Sequence, residues 1–149
     1  MNILIRDNTK LIEGTAEMLP YRYFLTVCYR NWGVTQFKSM QQLARTDLFI
    51  LSRKNKSHIQ PIVGINTDKT RVPHHHSILL SEKPLSVECF KSFDTHQSID
   101  IKPYSHSVNG IVYCAMKHEH YPMTLIHPRD KRAGCNCNAC SIANHIRRL

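Results

Sequence analysis

Three consecutive histidines, His74 to His76, directly precede the apolar run Ile78-Leu79-Leu80. This pattern predicts a β-strand, whose side chains alternate between the two faces of a sheet. His74 and His76 would then point the same way, with their backbones roughly 7 Å apart, and His75 would point to the opposite face. Two imidazoles at this spacing are candidate ligands for one metal ion. The structural alternative is a strand whose histidines are simply half-buried polar residues.

The segment from Val108 to His120 has apolar residues at the spacing of one buried helical stripe, namely Val108, Ile111, Val112 and Ala115. On the adjoining stripe, Tyr113, Lys117 and His120 follow one another at i, i+4 and i+7. A phenol needs a nearby cation or a metal to react as a nucleophile at neutral pH. Tyr113 with Lys117 is therefore a candidate nucleophile and its cation. The alternative is a tyrosine at a helix edge beside a solvated lysine.

The remaining sequence predicts alternating strands and helices. The first are a strand over Tyr21 to Tyr29 and a helix with apolar positions from Phe37 to Leu51. Two strands follow, over His58 to Asn66 and His74 to Ser81, on either side of a turn at 67–70. The last elements are a short helix over Ser86 to Phe93, a strand over Ser98 to Tyr104, and the helix that contains Tyr113. Pro103 favours an edge position or a strand end for this last strand. The order predicts an α+β fold with a central antiparallel sheet of the ferredoxin or RNA-recognition (split βαβ) type.

Composition favours one domain with a polyanionic partner. The chain has 149 residues, a mean hydropathy of -0.36, a formal net charge of +9 and a sequence pI near 9.5. We predict a domain over residues 1–128 and a basic tail over 129–149. No apolar run is long enough to span a membrane or act as a secretory signal, so we expect a cytoplasmic protein with no membrane partner. The charge favours nucleic acid.

The tail carries a cluster of cysteines. Cys135, Cys137, Cys140 and His145 have the side chains of a structural zinc site, with a basic flank at Arg129, Lys131 and Arg132. Their C-x-C-x2-C-x4-H spacing is not a common zinc pattern. Ordinary thiols, or ligands shared with another chain, are the alternatives.

Three motifs in this order resemble the HUH endonucleases, and in particular the rolling-circle replication initiators of plasmids and small viruses. Phe24-Leu25-Thr26-Val27 is similar to the first motif of that family, Pro73 to Leu80 to its metal motif, and Tyr113 to Lys117 to its nucleophile motif. The resemblance covers roughly residues 20 to 122. The chain departs from the family in having His75 where an apolar residue usually separates the paired histidines. The lysine comes four residues after the tyrosine, a spacing that resembles the parvovirus type.

The resemblance implies a mechanism and a set of site residues. His74 and His76 would hold Mg²⁺ or Mn²⁺, and a third ligand would come from Asn66, Asp68, Glu119 or His120. Tyr113 would attack the scissile phosphate to give a 5′-phosphotyrosine and a free 3′-hydroxyl, and Lys117 would steady the phenolate or the phosphate. The substrate would be single-stranded DNA at an origin or hairpin, contacted by aromatic and basic residues: Tyr29, Trp32, Arg53, Lys54, Lys56 and Arg71.

The chain contains no G-x-x-x-x-G-K-[ST] phosphate loop. Unwinding and synthesis would therefore come from a host helicase and polymerase, with the protein acting as a monomer or a dimer. Two other functions are compatible with the sequence. One is a single-tyrosine HUH transposase, which would act as a dimer on transposon-end hairpins. The other is a non-catalytic, RNA-recognition-like module with zinc in its tail, in which Tyr113 would be inert.

Overall fold

A computed structural model describes residues 3–30, 37–66, 73–91, 96–104 and 119–129. Its elements are helix α1 (Ile3–Gly14), strand β1 (Tyr21–Tyr29), helix α2 (Phe37–Asn55), strands β2 (Ile59–Ile65) and β3 (His74–Ser81), a 3₁₀ turn (Glu88–Phe90), and strands β4 (His96–Pro103) and β5 (Glu119–Tyr121). These residues form an α+β fold, as the sequence predicts. The two helices accompany one five-stranded sheet.

The sheet has the strand order β4-β1-β3-β2-β5, and every neighbouring pair is antiparallel. Helix α2 connects β1 to β2, and β3 lies between these two strands. Among the described strands β4 is an edge strand, which agrees with the position of Pro103. The three-residue β5 covers the other side of β2, where it pairs with Val63, Gly64 and Ile65.

Most of the predicted elements are confirmed. The strands over Tyr21 to Tyr29 and His74 to Ser81 have the predicted bounds, and α2 contains all of its predicted apolar positions. The strand predicted from Ser98 begins two residues earlier, at His96. The turn at 67–70 lies outside the described residues.

The short helix predicted to begin at Ser86 is wrong, because the described part of this segment contains only the 3₁₀ turn. The Asn55 side chain bonds both backbone groups of Ser86: its Nδ2 donates to the Ser86 carbonyl at 3.0 Å, and its Oδ1 accepts from the Ser86 N–H at 2.9 Å. The N–H of Leu85 is likewise bonded to the hydroxyl of Tyr23 at 3.1 Å. The Ser86 carbonyl, which would accept the first hydrogen bond of a helix beginning there, is thus already bonded to a side chain of α2.

The helix predicted to run through His120 is also wrong at its end, because Glu119–Tyr121 is a strand. Backbone pairing with the edge of β2 overrides the helical spacing of the sequence at these three residues. His120 therefore does not share a helical stripe with Tyr113, and its position is set by the sheet.

The sheet has two different faces. The helix face, formed by odd-numbered residues of β1 to β3, packs on α2 in a core that includes Leu25, Val27, Val63, Leu79, Met40, Ala44, Leu48 and Leu51. The even-numbered residues form the second face, which we call the histidine face because it carries His74 and His76. Ile12 and Leu19 pack against Ile62, Ile78 and Leu80 at one end of this face. Burial of each such side chain contributes about 2 kcal/mol.

Asp47 joins α2 to two strands within the helix face. Its carboxylate accepts hydrogen bonds from the Tyr29 hydroxyl at 2.5 Å and from Nε2 of His96 at 2.9 Å, when that nitrogen carries the proton. Burial, followed by the charge of Asp47, raises the pKa of the Tyr29 phenol. Tyr29 is only 1% exposed. Its predicted role in stacking on DNA bases is therefore wrong, and it belongs to the core.

Candidate metal centre

His74 and His76 lie side by side on the histidine face, as the alternation of a strand predicts. Both are half-buried, and their ring centroids are 5.1 Å apart at an interplanar angle of 81°. Two imidazoles that bind one ion through nitrogens at about 2.1 Å have ring centroids roughly 5 Å apart. The separation of the two rings therefore suits a shared ion. His75, with no exposed surface, points to the helix face, also as predicted.

Each of the two rings is oriented by a neighbouring side chain. Nδ1 of His76 lies 2.9 Å from the Thr26 hydroxyl oxygen on β1. A ring N–H donated to such an oxygen fixes the tautomer and directs Nε2 as the ligand, which is the usual arrangement around metal-binding histidines. Nε2 of His74 lies 3.2 Å from Nδ2 of Asn66. A half-turn of the Asn66 amide would present its carbonyl oxygen there instead.

The register of the sheet brings His120 to the same row as His76. Gly64 on β2 pairs with His76 on one side and with His120 on the other, and Thr26 pairs with His76 on β1. Directly paired residues project on the same face. Because Gly64 has no side chain, the space between the two histidines on this row is not filled from β2.

Sequence reasoning placed His120 on the wrong element and missed Thr26 and Gly64. A glycine inside a strand of β-branched residues was the available signal, because such a glycine often marks the close approach of a ligand. Thr26 lay inside the first HUH-like motif, but its partner became visible only from the register of β1 with β3.

The donors present fit a divalent ion that has further ligands. Within the described ranges, no three His, Cys, Asp or Glu side chains are close enough to hold an ion together. The candidate centre is therefore the pair His74 and His76, with the Asn66 amide beside His74. His120 lies in the same row across Gly64 but does not complete a three-residue group. Imidazoles with an amide oxygen suit Mn²⁺ better than Mg²⁺, which prefers an all-oxygen shell. This mixed donor set fits a manganese-type ion.

Other predicted site residues lie elsewhere. Arg53, Lys54 and Lys56 are exposed at the end of α2. Arg53 and Lys56 lie beside Glu82 and not beside the histidine pair. Along β3 this is roughly 25 Å from His74. The remaining candidates lie outside the described residues or have undescribed side chains: Trp32, Asp68, Arg71, Tyr113, Lys117, Glu119, Cys135, Cys137, Cys140 and His145.

His75 gives a prediction about stability and pH. Burial lowers the pKa of His75 to about 4, against an opposing effect of Asp47. The unfolded chain protonates this histidine below about pH 6.5, so between pH 6.5 and 4 the unfolded state binds more protons. We expect the free energy of unfolding to fall over this window by up to about 3 kcal/mol as the pH decreases. Urea denaturation in EDTA at several pH values measures this change in the free energy of unfolding.

The variant that tests whether His75 causes this pH dependence is His75→Leu. Nε2 of His75 is buried and has no hydrogen-bond partner among the described residues, whereas Nδ1 lies 3.1 Å from the buried Ser77 hydroxyl. An apolar side chain of similar size removes the desolvation penalty of Nε2 and loses this one contact, so the two effects oppose each other. We expect His75→Leu to be about as stable as the parent chain at pH 7, and to lose this part of the pH dependence. An equally steep pH dependence in His75→Leu would assign the titration to another group.

Gly64 gives a prediction about the metal centre. A valine is well suited to a strand, but at this position its side chain would project between His76 and His120. We expect Gly64→Val to weaken Mn²⁺ binding by about tenfold or more, and Gly64→Ala to have a smaller effect. Isothermal titration with Mn²⁺, with circular dichroism as the folding control, measures both. Unchanged Mn²⁺ affinity in a folded Gly64→Val protein would exclude an ion from this gap.

Comparison of the chain with known protein families, with curated proteins and with solved structures finds no match. In the part of the chain that the structure describes, neither helix has the length and apolar character needed to cross a bilayer.

Proposed function

We propose that this chain is a metal-dependent endonuclease and strand transferase that nicks single-stranded DNA through Tyr113 and so starts rolling-circle replication, like the HUH endonucleases it resembles. The observation that carries the proposal is the pair His74 and His76, with ring centroids 5.1 Å apart on one face of a central strand. The contact of His76 with Thr26, which lies in the first HUH-like motif, supports it.

The strand arrangement also supports this proposal. The first four strands have the order β4-β1-β3-β2, with β1-α2-β2 enclosing β3 in an antiparallel sheet. This order is compatible with a split βαβ unit. We propose that the fold is of this type and that the histidine face is its substrate face.

In the proposed reaction the phenolate oxygen of Tyr113 attacks the scissile phosphorus in line. The new bond is a 5′-phosphotyrosine, the P–O3′ bond breaks, and the departing 3′-oxygen takes up a proton as the phenol gives one up. Lys117 favours the phenolate by its charge. When bound at His74 and His76, a divalent ion would offset negative charge on a non-bridging phosphate oxygen. The phosphodiester energy is retained in the covalent link, so a strand can be rejoined.

The chain connection limits how far Tyr113 can lie from the candidate centre. Glu119, the first residue of β5, comes six positions after Tyr113, and an extended chain covers at most about 3.5 Å per residue. Tyr113 is therefore within roughly 21 Å of the start of β5. His120, the next residue of this strand, is in register with Gly64 beside His76. This short connection is compatible with attack at a phosphate held near the histidine pair.

Single-stranded DNA is the proposed substrate because the candidate centre lies on a sheet face and the chain has a net charge of +9. An unpaired strand can lay its backbone on such a surface, and cations favour it by releasing counterions. A cytoplasmic location, with helicase and polymerase supplied by the host, belongs to the same proposal.

The test is incubation of the full chain with end-labelled single-stranded oligonucleotides and Mn²⁺, followed by denaturing gels. A covalent protein-DNA adduct and a product with a free 3′-hydroxyl support the proposal. Binding without any cleavage across a broad library of hairpins and origins would contradict it and favour the RNA-recognition-like module. Cleavage that requires a dimer and a transposon-end hairpin would favour the transposase.

A further inference from the structure

A cavity of about 610 Å³ lies at the end of the sheet remote from the histidine pair. It is formed where three segments distant in sequence meet: the end of α2, the end of β3, and residues 127–129. The described residues that line it are Arg53, Lys56, His58, Glu82, Lys83, His127, Pro128 and Arg129. Four of them carry a permanent positive charge, and Glu82 is the one carboxylate among them.

Glu82 is already engaged with a histidine of the cavity. Its Oε1 lies 3.2 Å from Nδ1 of His58 and 3.4 Å from the His58 backbone nitrogen. Burial opposes ionisation of Glu82, but these bonds and the charge of Lys83 lower its pKa below the usual range. The ring of His58 in turn meets that of His127 edge to face at 4.5 Å, and His127 is 9% exposed. The carboxylate thus belongs to the wall, while the charge of the cavity remains positive.

Buried serines fix the backbone of this cavity. The Ser57 and Ser81 hydroxyls are 2.8 Å apart, and the Ser57 oxygen accepts from the N–H of Lys83 at 3.0 Å. The Ser81 hydroxyl donates to the Lys83 carbonyl at 2.6 Å, and the Ser52 hydroxyl donates to the Ser57 carbonyl at 2.6 Å. All three serines are completely buried. The backbone at Lys56, His58 and Lys83 is therefore held in place before any ligand binds.

Lys56 occupies a backbone position that favours glycine. Its φ of 53° is in the left-handed region, directly after the end of α2. Glycine is the usual residue at this place because a Cβ atom is unfavourable there. The chain instead carries a lysine whose side chain lines the cavity. Backbone preference alone does not explain this choice, whereas recruitment of a cation to the cavity does.

We propose that this cavity is a non-catalytic phosphate-binding site, with Lys56, Lys83, Arg53 and Arg129 as the cations that recognise the anion. Cations gathered from three segments repel one another, and a phosphate group offsets this repulsion. The ligand chemistry is a phosphate, either a phosphodiester of a nucleic-acid strand or a small free phosphate. The site includes Arg53 and Lys56, which the sequence predicts as DNA contacts, but it goes beyond the proposed nuclease because it needs neither Tyr113 nor the histidine pair.

The test uses the full chain in EDTA, which removes any contribution of a metal ion. Binding of a fluorescent 20-nucleotide oligo-dT is measured at several salt concentrations, and inorganic phosphate is tested separately by thermal shift. The variants are Lys56→Gly, Arg129→Ala and their combination. Lys10→Ala, which removes an exposed cation of α1, is the charge-matched control. Lys56→Gly is informative because glycine suits its backbone, so its melting temperature should be unchanged or higher.

For a strand phosphate, each pocket variant should weaken oligo-dT binding by about fivefold and reduce the salt slope by about one, with Lys10→Ala within twofold of the parent chain. For a free phosphate, inorganic phosphate should raise the melting temperature of the parent chain and of Lys10→Ala, but not that of Lys56→Gly. Either result supports the site. If the pocket variants match Lys10→Ala in both measurements, the cavity is not a phosphate site. If the parent chain does not cleave single-stranded DNA in Mn²⁺ but the pocket variants still show these binding or melting differences in EDTA, the nuclease proposal fails and the phosphate site remains supported.

Discussion

Tyr113→Phe should abolish both the cleavage of single-stranded DNA and the covalent adduct, while binding of the uncut strand stays within a few fold. The substitution removes one oxygen atom and keeps the ring, so packing and DNA contacts are preserved while the attacking group is lost. The expected loss is at least about 1,000-fold in rate, which takes the product below detection on a denaturing gel.

Tyr104 and Tyr121 are the natural controls for this experiment. The ring of Tyr104 packs near Phe24, with centroids 6.2 Å apart, and Tyr121 is half-buried on β5 against the core of the helix face. We expect Tyr104→Phe and Tyr121→Phe to keep the adduct. An adduct that persists in Tyr113→Phe and disappears in one of these two variants would move the nucleophile to that residue.

The periodicity of this chain predicts the central strands well because each has one dominant signal. The run from His74 to Ser81 alternates between faces, and both its bounds and the opposite orientation of His75 are confirmed. The backbone groups of these strands are also already paired with neighbouring strands, so other hydrogen-bond partners do not compete for them. Local pattern and tertiary pairing agree there, so the pattern alone is sufficient.

Sequence reasoning failed where a partner distant in the chain decides the local structure. The Asn55 amide holds both backbone groups of Ser86, so the predicted helix does not begin there. The edge of β2 pairs with Glu119–Tyr121, so His120 is on a strand although its spacing from Tyr113 is helical. Neither partner is visible in the local sequence. Tyr29 was misassigned for the same reason, because its burial depends on Asp47 of α2.

The row from Thr26 through His76 and Gly64 to His120 is likewise a property of register and not of spacing along the chain. Sequence reasoning found the histidine pair and offered four candidates for a third ligand. The register places His120 in the row of His76 but across Gly64, where it forms no three-residue group with the pair among the described residues, and the contact of Asn66 with His74 retains a second candidate. The positions of both candidates follow from the pairing of β2 with β3 and β5.

His76→Ala should have the largest effect on the metal centre. It removes one imidazole of a pair whose ring centroids are 5.1 Å apart, and leaves the ion with a single histidine of that pair. We expect Mn²⁺ affinity to fall by at least about 100-fold and Mn²⁺-dependent cleavage to become undetectable. His74→Ala should behave in the same way. Titration with Mn²⁺ and single-turnover cleavage with excess protein measure the two effects.

Two further variants separate loss of a ligand from general damage to β3. Thr26→Val has nearly the same shape but lacks the hydroxyl that lies 2.9 Å from Nδ1 of His76, so it should weaken Mn²⁺ binding by roughly 10-fold to 100-fold and leave folding intact. His75→Leu, on the same strand but on the opposite face, should leave Mn²⁺ binding and cleavage per folded molecule unchanged. Because the pair and its orienting hydroxyl share one face, the expected order of damage is His76→Ala, then Thr26→Val, then His75→Leu. If all three variants lose activity equally, the cause is disruption of the strand, and the histidine pair is not a metal centre.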